Sequence, residues 1–240
     1  MSHMRHVLAI VNKELREYLL KPGSISWGLV FPLVFTLAFI VRFGDVDHLA
    51  PGLISISALF ATTSFVSSSL IFERRLKTFE RLLLAPIRYG EIVLAKVLVA
   101  SLFGLMVSLI TLVLVKYFMV YPVWNWPLTI LFLILANVAF SAFGLYIALA
   151  VEKPINVMTW LNLLRLPMMF TSGAIESLTL FPRWFLVVGI LTPMTYSVDG
   201  LRYSMLYYYD VVAPLYALLA LILIATTFMA LSVRRIKALY

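Results

Sequence analysis

Six stretches of about 20 mostly apolar residues divide this chain, at 24–41, 49–72, 97–116, 126–151, 155–174 and 211–233. A helix needs roughly 20 such residues to cross a bilayer. Between the stretches the chain has little length left for a water-soluble core. Of its 240 residues, 63% are hydrophobic and only 12% charged, with a mean hydropathy of +1.02. These numbers exclude a disordered chain, a disulfide scaffold and a cytosolic enzyme, and they predict an all-α integral membrane protein with six spans. With no cysteine and only His3, His6 and His48, the sequence holds no thiolate nucleophile and no evident metal cluster.

The net charge of +8 reads as topology and not as affinity for nucleic acid, because the cations sit between the spans. With a cytoplasmic N-terminus, fourteen Lys and Arg fall inside. Only Arg42, Lys116, Arg183 and Arg202 fall outside, and Arg165 lies within the fifth span. Cytoplasmic loops carry the excess of Lys and Arg. Both termini are therefore expected in the cytoplasm of a multi-pass protein. Met1–His3 reads as a cloning remnant ahead of Met4, and no cleavable signal peptide is expected.

Residues 5–21 read as an amphipathic interfacial helix. Val7, Leu8, Val11, Leu15, Tyr18 and Leu19 recur at helical spacing, opposite Lys13, Arg16 and Glu17. It serves either as a plain anchor or as a contact for a cytoplasmic partner. Lys21-Pro22-Gly23 then breaks it. The chain otherwise reads as one transmembrane domain over 1–240, with two long aqueous segments, 73–90 inside and 175–210 outside. Pro182, Arg183 and Pro193 interrupt the outer one, which is expected to hold short re-entrant helices before the last span.

The inner segment carries the most specific pattern. Phe79, Leu82 and Leu83 share one helical face, Pro86 stops that helix, and Glu91 favours the start of the next. The residues Glu73, Arg74, Thr78, Glu80, Leu82, Leu83, Pro86, Glu91 and Lys96 follow an order that resembles the permeases of ABC-2 type transporters, closest to the drug-resistance and nodulation-factor exporter branch. Lys77 stands where that family usually has Gly, and Phe79 where it often has Leu. A second stretch resembles the same family: Ser172-Gly173, Pro182 before Trp184, then Pro193, Thr195, Tyr196, Asp199 and Arg202.

The resemblance implies a membrane subunit of an ATP-driven exporter. Its partners would be two ABC ATPase subunits per complex and a second permease copy, as a homodimer in membrane lipid. ATP and Mg would bind in the ATPase, since no Gly-x-x-x-x-Gly-Lys-Ser/Thr motif occurs here. A prokaryotic plasma membrane is the expected location. Glu73, Arg74, Thr78, Phe79, Glu80, Leu82, Leu83 and Pro86 would form the coupling segment that receives the ATPase stroke. Pro182, Trp184, Pro193, Tyr196, Asp199 and Arg202 would form an outer gate, with Asp199 and Arg202 as an exposed i, i+3 ion pair.

Thr62, Ser64, Ser68, Asn162 and Arg165 are candidates for a translocation path or dimer interface. The small polar residues of span two serve helix packing equally well. Arg165 lines a path or interface, or else snorkels or pairs with an acid such as Glu152. Two other classes remain: a secondary carrier or channel acting alone, and a membrane enzyme built on Asp45, Asp47 and His48. The transported molecule is expected to be amphipathic or hydrophobic, a lipid or a glycan.

Overall fold

A computed structural model describes residues 2–18, 22–43, 48–119 and 123–239. Leu19, Lys21, Asp45 and Asp47 lie outside the described residues, as do the side chains of His3 and Arg5. The helices are α1 (Ser2–Tyr18), α2 (Pro22–Ile25), α3 (Phe31–Phe43), α4 (Leu49–Arg75), α5 (Thr78–Leu83), α6 (Tyr89–Met119), α7 (Trp126–Ala150), α8 (Val157–Thr171), α9 (Arg183–Ile190), α10 (Pro193–Leu206) and α11 (Pro214–Leu239). No strand occurs among the described residues. Five helices are long and apolar enough to cross a membrane: Ser26–Phe43, Leu49–Arg75, Tyr89–Phe118, Trp126–Ala150 and Pro214–Ala238. The chain is an all-α integral membrane protein.

Local chemistry sets the element boundaries. Asn125 caps α7 by accepting from Leu128 N–H at 3.0 Å, with proline next in the first turn. The first span opens with a π-helical turn, Ser26–Val30, in which Phe31 N–H reaches back to Ser26 O. Pro32 follows and brings no N–H to the ladder, so the hydrogen-bond register slips by one at this point. Gly28 in that turn faces Phe103 and Ser64, where an added Cβ would sit 3.1 and 3.4 Å from their side chains.

The fifth expected span takes a different form. Its helix, α8, has 15 residues, or roughly 22 Å at 1.5 Å per residue, short of the roughly 30 Å hydrocarbon layer. The flanking chain makes up the distance. Residues 151 and 152 lie beside Arg74 at one end of α4, while Ala174 packs on Gly52 at the other. The segment from 151 to 174 therefore runs the length of α4. Next, α9 and α10 meet at 92°. The α10 start, at Met194, packs in one cluster with Phe60 and Phe140, near the middle of α4 and α7. Its end returns to the Asn125 end of α7, where Asn125 N–H donates to Ser204 O at 2.9 Å. The two short helices fall where the prolines predict them, with the bent geometry of a broken span or a re-entrant loop.

All of this surrounds α4, which is buried from Leu49 through Leu70. Small residues permit the close approach. On Gly104 a Cβ would meet Thr62 Cγ2 at 2.2 Å, and on Gly144 it would meet Thr63 Cα at 3.0 Å. The clearest case is Gly52, where a Cβ would fall 1.8 Å from the backbone oxygen of Ala174. Backbone cannot rotate away, so overpacking of about 1–3 kcal/mol is expected. Gly52→Ala should lower the thermal unfolding midpoint in detergent. Gly90→Ala should leave it unchanged or raise it, because nothing lies within 4 Å of a Cβ there.

Candidate functional site

The inner aqueous segment is fixed by a buried charge cluster. Lys96 on α6 lies 2.6 Å from a Glu14 carboxylate oxygen and 2.7 Å from Glu73 Oε2. Lys13 reaches Glu73 Oε1 at 2.7 Å, and Ser69 donates to Glu14. Two carboxylates and two ammonium groups thus join α1, α4 and α6. Burial pushes the Glu14 carboxyl above the usual carboxylate range, and the Lys96 ammonium opposes that rise. The α1 apolar face (Val7, Ile10, Val11, Leu15) packs on the core beside this cluster. Farther up, His6 Nδ1 sits 3.2 Å from Glu91 in the first turn of α6.

This geometry corrects the expected role of several coupling residues. Glu73 is 0% exposed and points into the cluster. Arg74 caps α7, donating to the carbonyls of Ala148, Val151 and Glu152 at 3.0, 2.7 and 2.6 Å. Those carbonyls have no partner within their helix, so a cation at this end is favourable. Phe79 is buried, with Leu82 and Leu83 packed beside it on the same core, so the apolar face of α5 is used up internally. Thr78 donates to Glu73 O at 3.3 Å. The outward surface consists of Leu76, Lys77, Glu80, Arg81, Leu84 and Pro86, and Leu84 is 87% exposed.

The turn between α4 and α5 rests on Lys77, which has φ 56°. A left-handed residue just past a helix end is where glycine is favoured, since it has no Cβ to clash. Lysine holds that geometry here despite departing from the resembled pattern.

At the opposite end of α4, Asp199 and Arg202 are 2% and 3% exposed, so the expected exposed ion pair is instead a buried brace. Asp199 accepts from the backbone N–H groups of Asp210, Val211 and Val212 at 3.2, 3.0 and 2.8 Å. Arg202 donates to Asp199 at 3.0 Å and to Gly173 O at 2.7 Å. Asp210 receives Ser177 Oγ at 2.5 Å and Leu178 N–H at 2.7 Å. The brace ties the end of the α8 segment, the re-entrant helix α10 and the entry to α11. Tyr196 Oη donates to Ile190 O at 2.8 Å and closes the α9–α10 bend, whose two helices begin just after Pro182 and at Pro193. Trp184 is exposed, 67%, at the rim.

Between these two ends lies Arg165, 0% exposed. It occupies the buried stripe Val157, Leu161, Arg165, Met169 of α8. Its guanidinium donates to Asn162 Oδ1 at 2.6 and 2.8 Å, to Ser64 at 2.8 Å and to Thr63 at 3.1 Å. It also lies 4.4 Å from the Phe60 ring centroid and 5.7 Å from that of Trp27. Neither snorkelling nor a Glu152 pair describes it. Thr62 donates to Ala58 O at 2.8 Å within its own helix, and Ser68 is buried, so neither lines an open path in this chain. Lys13, Glu14 and Asp210 escaped the sequence reading. Glu14 did leave a signal there, an acid on the apolar stripe of α1.

Two measurements check this account. Lys96→Met leaves two buried carboxylates short of a cation and should destabilise by about 3–5 kcal/mol, whereas adding Glu14→Gln and Glu73→Gln should recover most of the loss. Both are read from the unfolding midpoint. Lys77→Gly should raise that midpoint by the equivalent of up to about 1 kcal/mol, and Lys77→Val should lower it.

Known proteins agree with this architecture. A 198-residue stretch is 27% identical to the inner membrane transport permease YadH of Escherichia coli (strain K12), covering 80% of this chain and 77% of that protein. A 201-residue stretch is 24% identical to the transport permease ycf38 of Cyanophora paradoxa, covering 76% of this chain and 68% of that one. The ycf38 protein of Pyropia yezoensis is 23% identical over 221 residues, 84% of this chain and 74% of that one. The family model for the ABC-2 type transporter matches residues 5–206, from the interfacial helix through the re-entrant pair. The chain belongs to the ABC-2 type transporter family, as a multi-pass transport permease of a family that generally implies an ABC ATPase partner.

Proposed function

We propose that this chain is the membrane half of an ATP-driven exporter. Two copies would pair with each other and with two ATPase subunits, which bind ATP and Mg. The complex would sit in the plasma membrane of a prokaryote, with both termini cytoplasmic, and would move an amphipathic or hydrophobic molecule, lipid or glycan outward. The inner membrane location in the YadH name supports the compartment. The single observation that carries the mechanism is the form of α5. Its inner face is locked into the core through Phe79, Leu82 and Leu83, while Leu76, Glu80, Arg81 and Leu84 project outward.

A push on such a helix moves what it is locked to. The Lys96 cluster joins α1, α4 and α6 next to it, so these helices would shift as one body. At the far end α4 meets the re-entrant pair through Ser55 Oγ and Ser197 Oγ at 2.8 Å. Closure of the ATPase pair would thus bias a rigid-body change between inward-open and outward-open states. In this mechanism the ATPase contacts fall on Leu76, Lys77, Glu80, Arg81, Leu84 and Pro86, with Glu73, Arg74 and Thr78 holding the segment from behind.

Affinity purification from native membranes in mild detergent, followed by mass spectrometry, tests the reading. A P-loop ATPase should co-purify in stoichiometric amount and be lost when 79–86 is replaced by a Gly/Ser linker. Glu80→Arg reverses an exposed charge and spares the core, so it should abolish ATP-dependent transport without lowering membrane insertion. Transport at the wild-type rate in Glu80→Arg, or purification without any ATPase across several detergents, would overturn the assignment in favour of a carrier acting alone.

A further inference from the structure

We infer that Arg165 is the anion-recognition point for the transported molecule, and that this molecule is an amphiphile with a phosphate-like or carboxylate head and an apolar tail. The inference starts from a charge balance. The inner cluster pairs two cations with two carboxylates, and the outer brace pairs Arg202 with Asp199. Arg165 is different. Its four hydrogen bonds all end on neutral oxygens, those of Asn162, Thr63 and Ser64. No carboxylate pairs with it among the described residues. Neutral acceptors solvate a guanidinium but leave its charge, and a charge in a membrane interior persists where a partner or a polar path attends it.

The surroundings indicate the shape of that partner. An open apolar groove of about 560 Å³ runs along the first span, lined by Ser26, Trp27, Val30, Phe31, Val34, Phe35 and Ala38. Two of its wall residues lead directly to the cation. Trp27 has its ring centroid 5.7 Å from the guanidinium carbon, and the Phe31 ring lies tilted 4.6 Å from Phe60, whose centroid is 4.4 Å from that carbon. The tail fits the apolar groove, and the head reaches Arg165 once Trp27 swings aside. The π-helical turn that carries Trp27 places this side chain where the helix ladder is already broken, which eases such a movement. A guanidinium donates two parallel hydrogen bonds to phosphate or carboxylate, so the head is recognised by shape as well as by charge. That this ligand is transported rests on the permease reading above; its binding at Arg165 does not.

The test uses the full chain in phosphatidylcholine nanodiscs and measures thermal unfolding against added amphiphile. The probes share a twelve-carbon tail: dodecyl phosphate, dodecyltrimethylammonium and dodecyl maltoside. Dodecyl phosphate should stabilise saturably, with an apparent affinity at least tenfold above the other two, and inorganic phosphate should have no effect. Arg165→Gln should erase the tenfold preference and Arg165→Lys should retain part of it. Ala38 is exposed, so Ala38→Phe leaves the core intact. It should fill the groove and weaken dodecyl phosphate at least threefold, which keeps the test decisive if Arg165→Gln fails to fold. Equal affinities for the three heads, a preference that survives Arg165→Gln, unchanged affinity in Ala38→Phe, or equal binding of inorganic phosphate would overturn the proposal. So would loss of the dodecyl phosphate effect in phosphatidylglycerol nanodiscs, which would make the occupant a resident lipid. None of these results bears on whether an ATPase co-purifies, so failure here and failure of the exporter reading are distinguishable.

Discussion

The structure depends on one helix that touches almost no lipid. From Leu49 to Leu70, α4 is enclosed by its own chain, and enclosure on every side excludes the bulk that a lipid-facing helix carries. Its middle is therefore rich in Ser, Thr and Ala, with Ile56, Leu59, Phe60, Phe65 and Val66 filling the wider gaps. Four of the hydroxyls, those of Ser57, Thr62, Thr63 and Ser67, bond to carbonyls of the preceding turn, while Ser55 and Ser69 reach other helices. With water excluded and no hydrophobic drive between helices in lipid, close van der Waals contact holds the bundle together, and small residues make it possible. The elements α1, α2, α3, α5, α6, α7, α8 and α10 contact α4 directly, while α11 packs on α7, α10 and α6, and α9 on α8 and α10.

The three buried cation sites follow from that arrangement, because each lies at a different height along α4. Lys96 sits near its inner end with Glu73 and Ser69, Arg165 at its middle with Thr63 and Ser64, and Arg202 near its outer end through Gly173 and the Gly52 contact. A buried pair that is well matched contributes specificity more than net stability, since desolvation offsets much of the attraction. The inner and outer sites fit that description: they fix which helices meet and in what register. The middle site lacks an anionic partner, which is why it stands apart from the other two.

Much of the fold was legible in the sequence, for physical reasons that can be named. Spans reveal themselves by length and apolarity, and Pro182 and Pro193 announced the breaks of the re-entrant pair because proline fixes where a helix can begin. The shortened α8 was less visible. Its apolar run at 155–174 has span length, but Pro154 starts a tight turn, and the chain leaves the helix after Thr171 for the left-handed Gly173. Side-chain direction was hardest to read. The i, i+3, i+4 pattern placed Phe79, Leu82 and Leu83 on one face, yet periodicity alone does not say whether that face meets a partner or the protein's own core. Burial of Glu73, Asp199 and Arg202 was equally hidden, because their partners Lys13, Asp210 and the Gly173 carbonyl are brought to them only by tertiary contact.

That distinction of faces bears on how force would pass through the molecule. A helix that docked its apolar face on an ATPase would be held by two bodies and would roll between them. With its apolar face already spent on the core, α5 has only a charged and partly apolar ridge to offer, and a contact there transmits displacement and not packing. Lys77 tightens the link. A left-handed residue directly after α4 leaves no slack between the two helices, and the Thr78 hydroxyl closes the remaining gap to Glu73 O. Since Glu73 is also bound to Lys96 and Lys13, a shift of α5 without a shift of α1 and α6 would break buried ion pairs. Separating such pairs is costly, so under the proposed mechanism the unit would move whole. The α1 helix would then be part of the moving body and not a passive anchor.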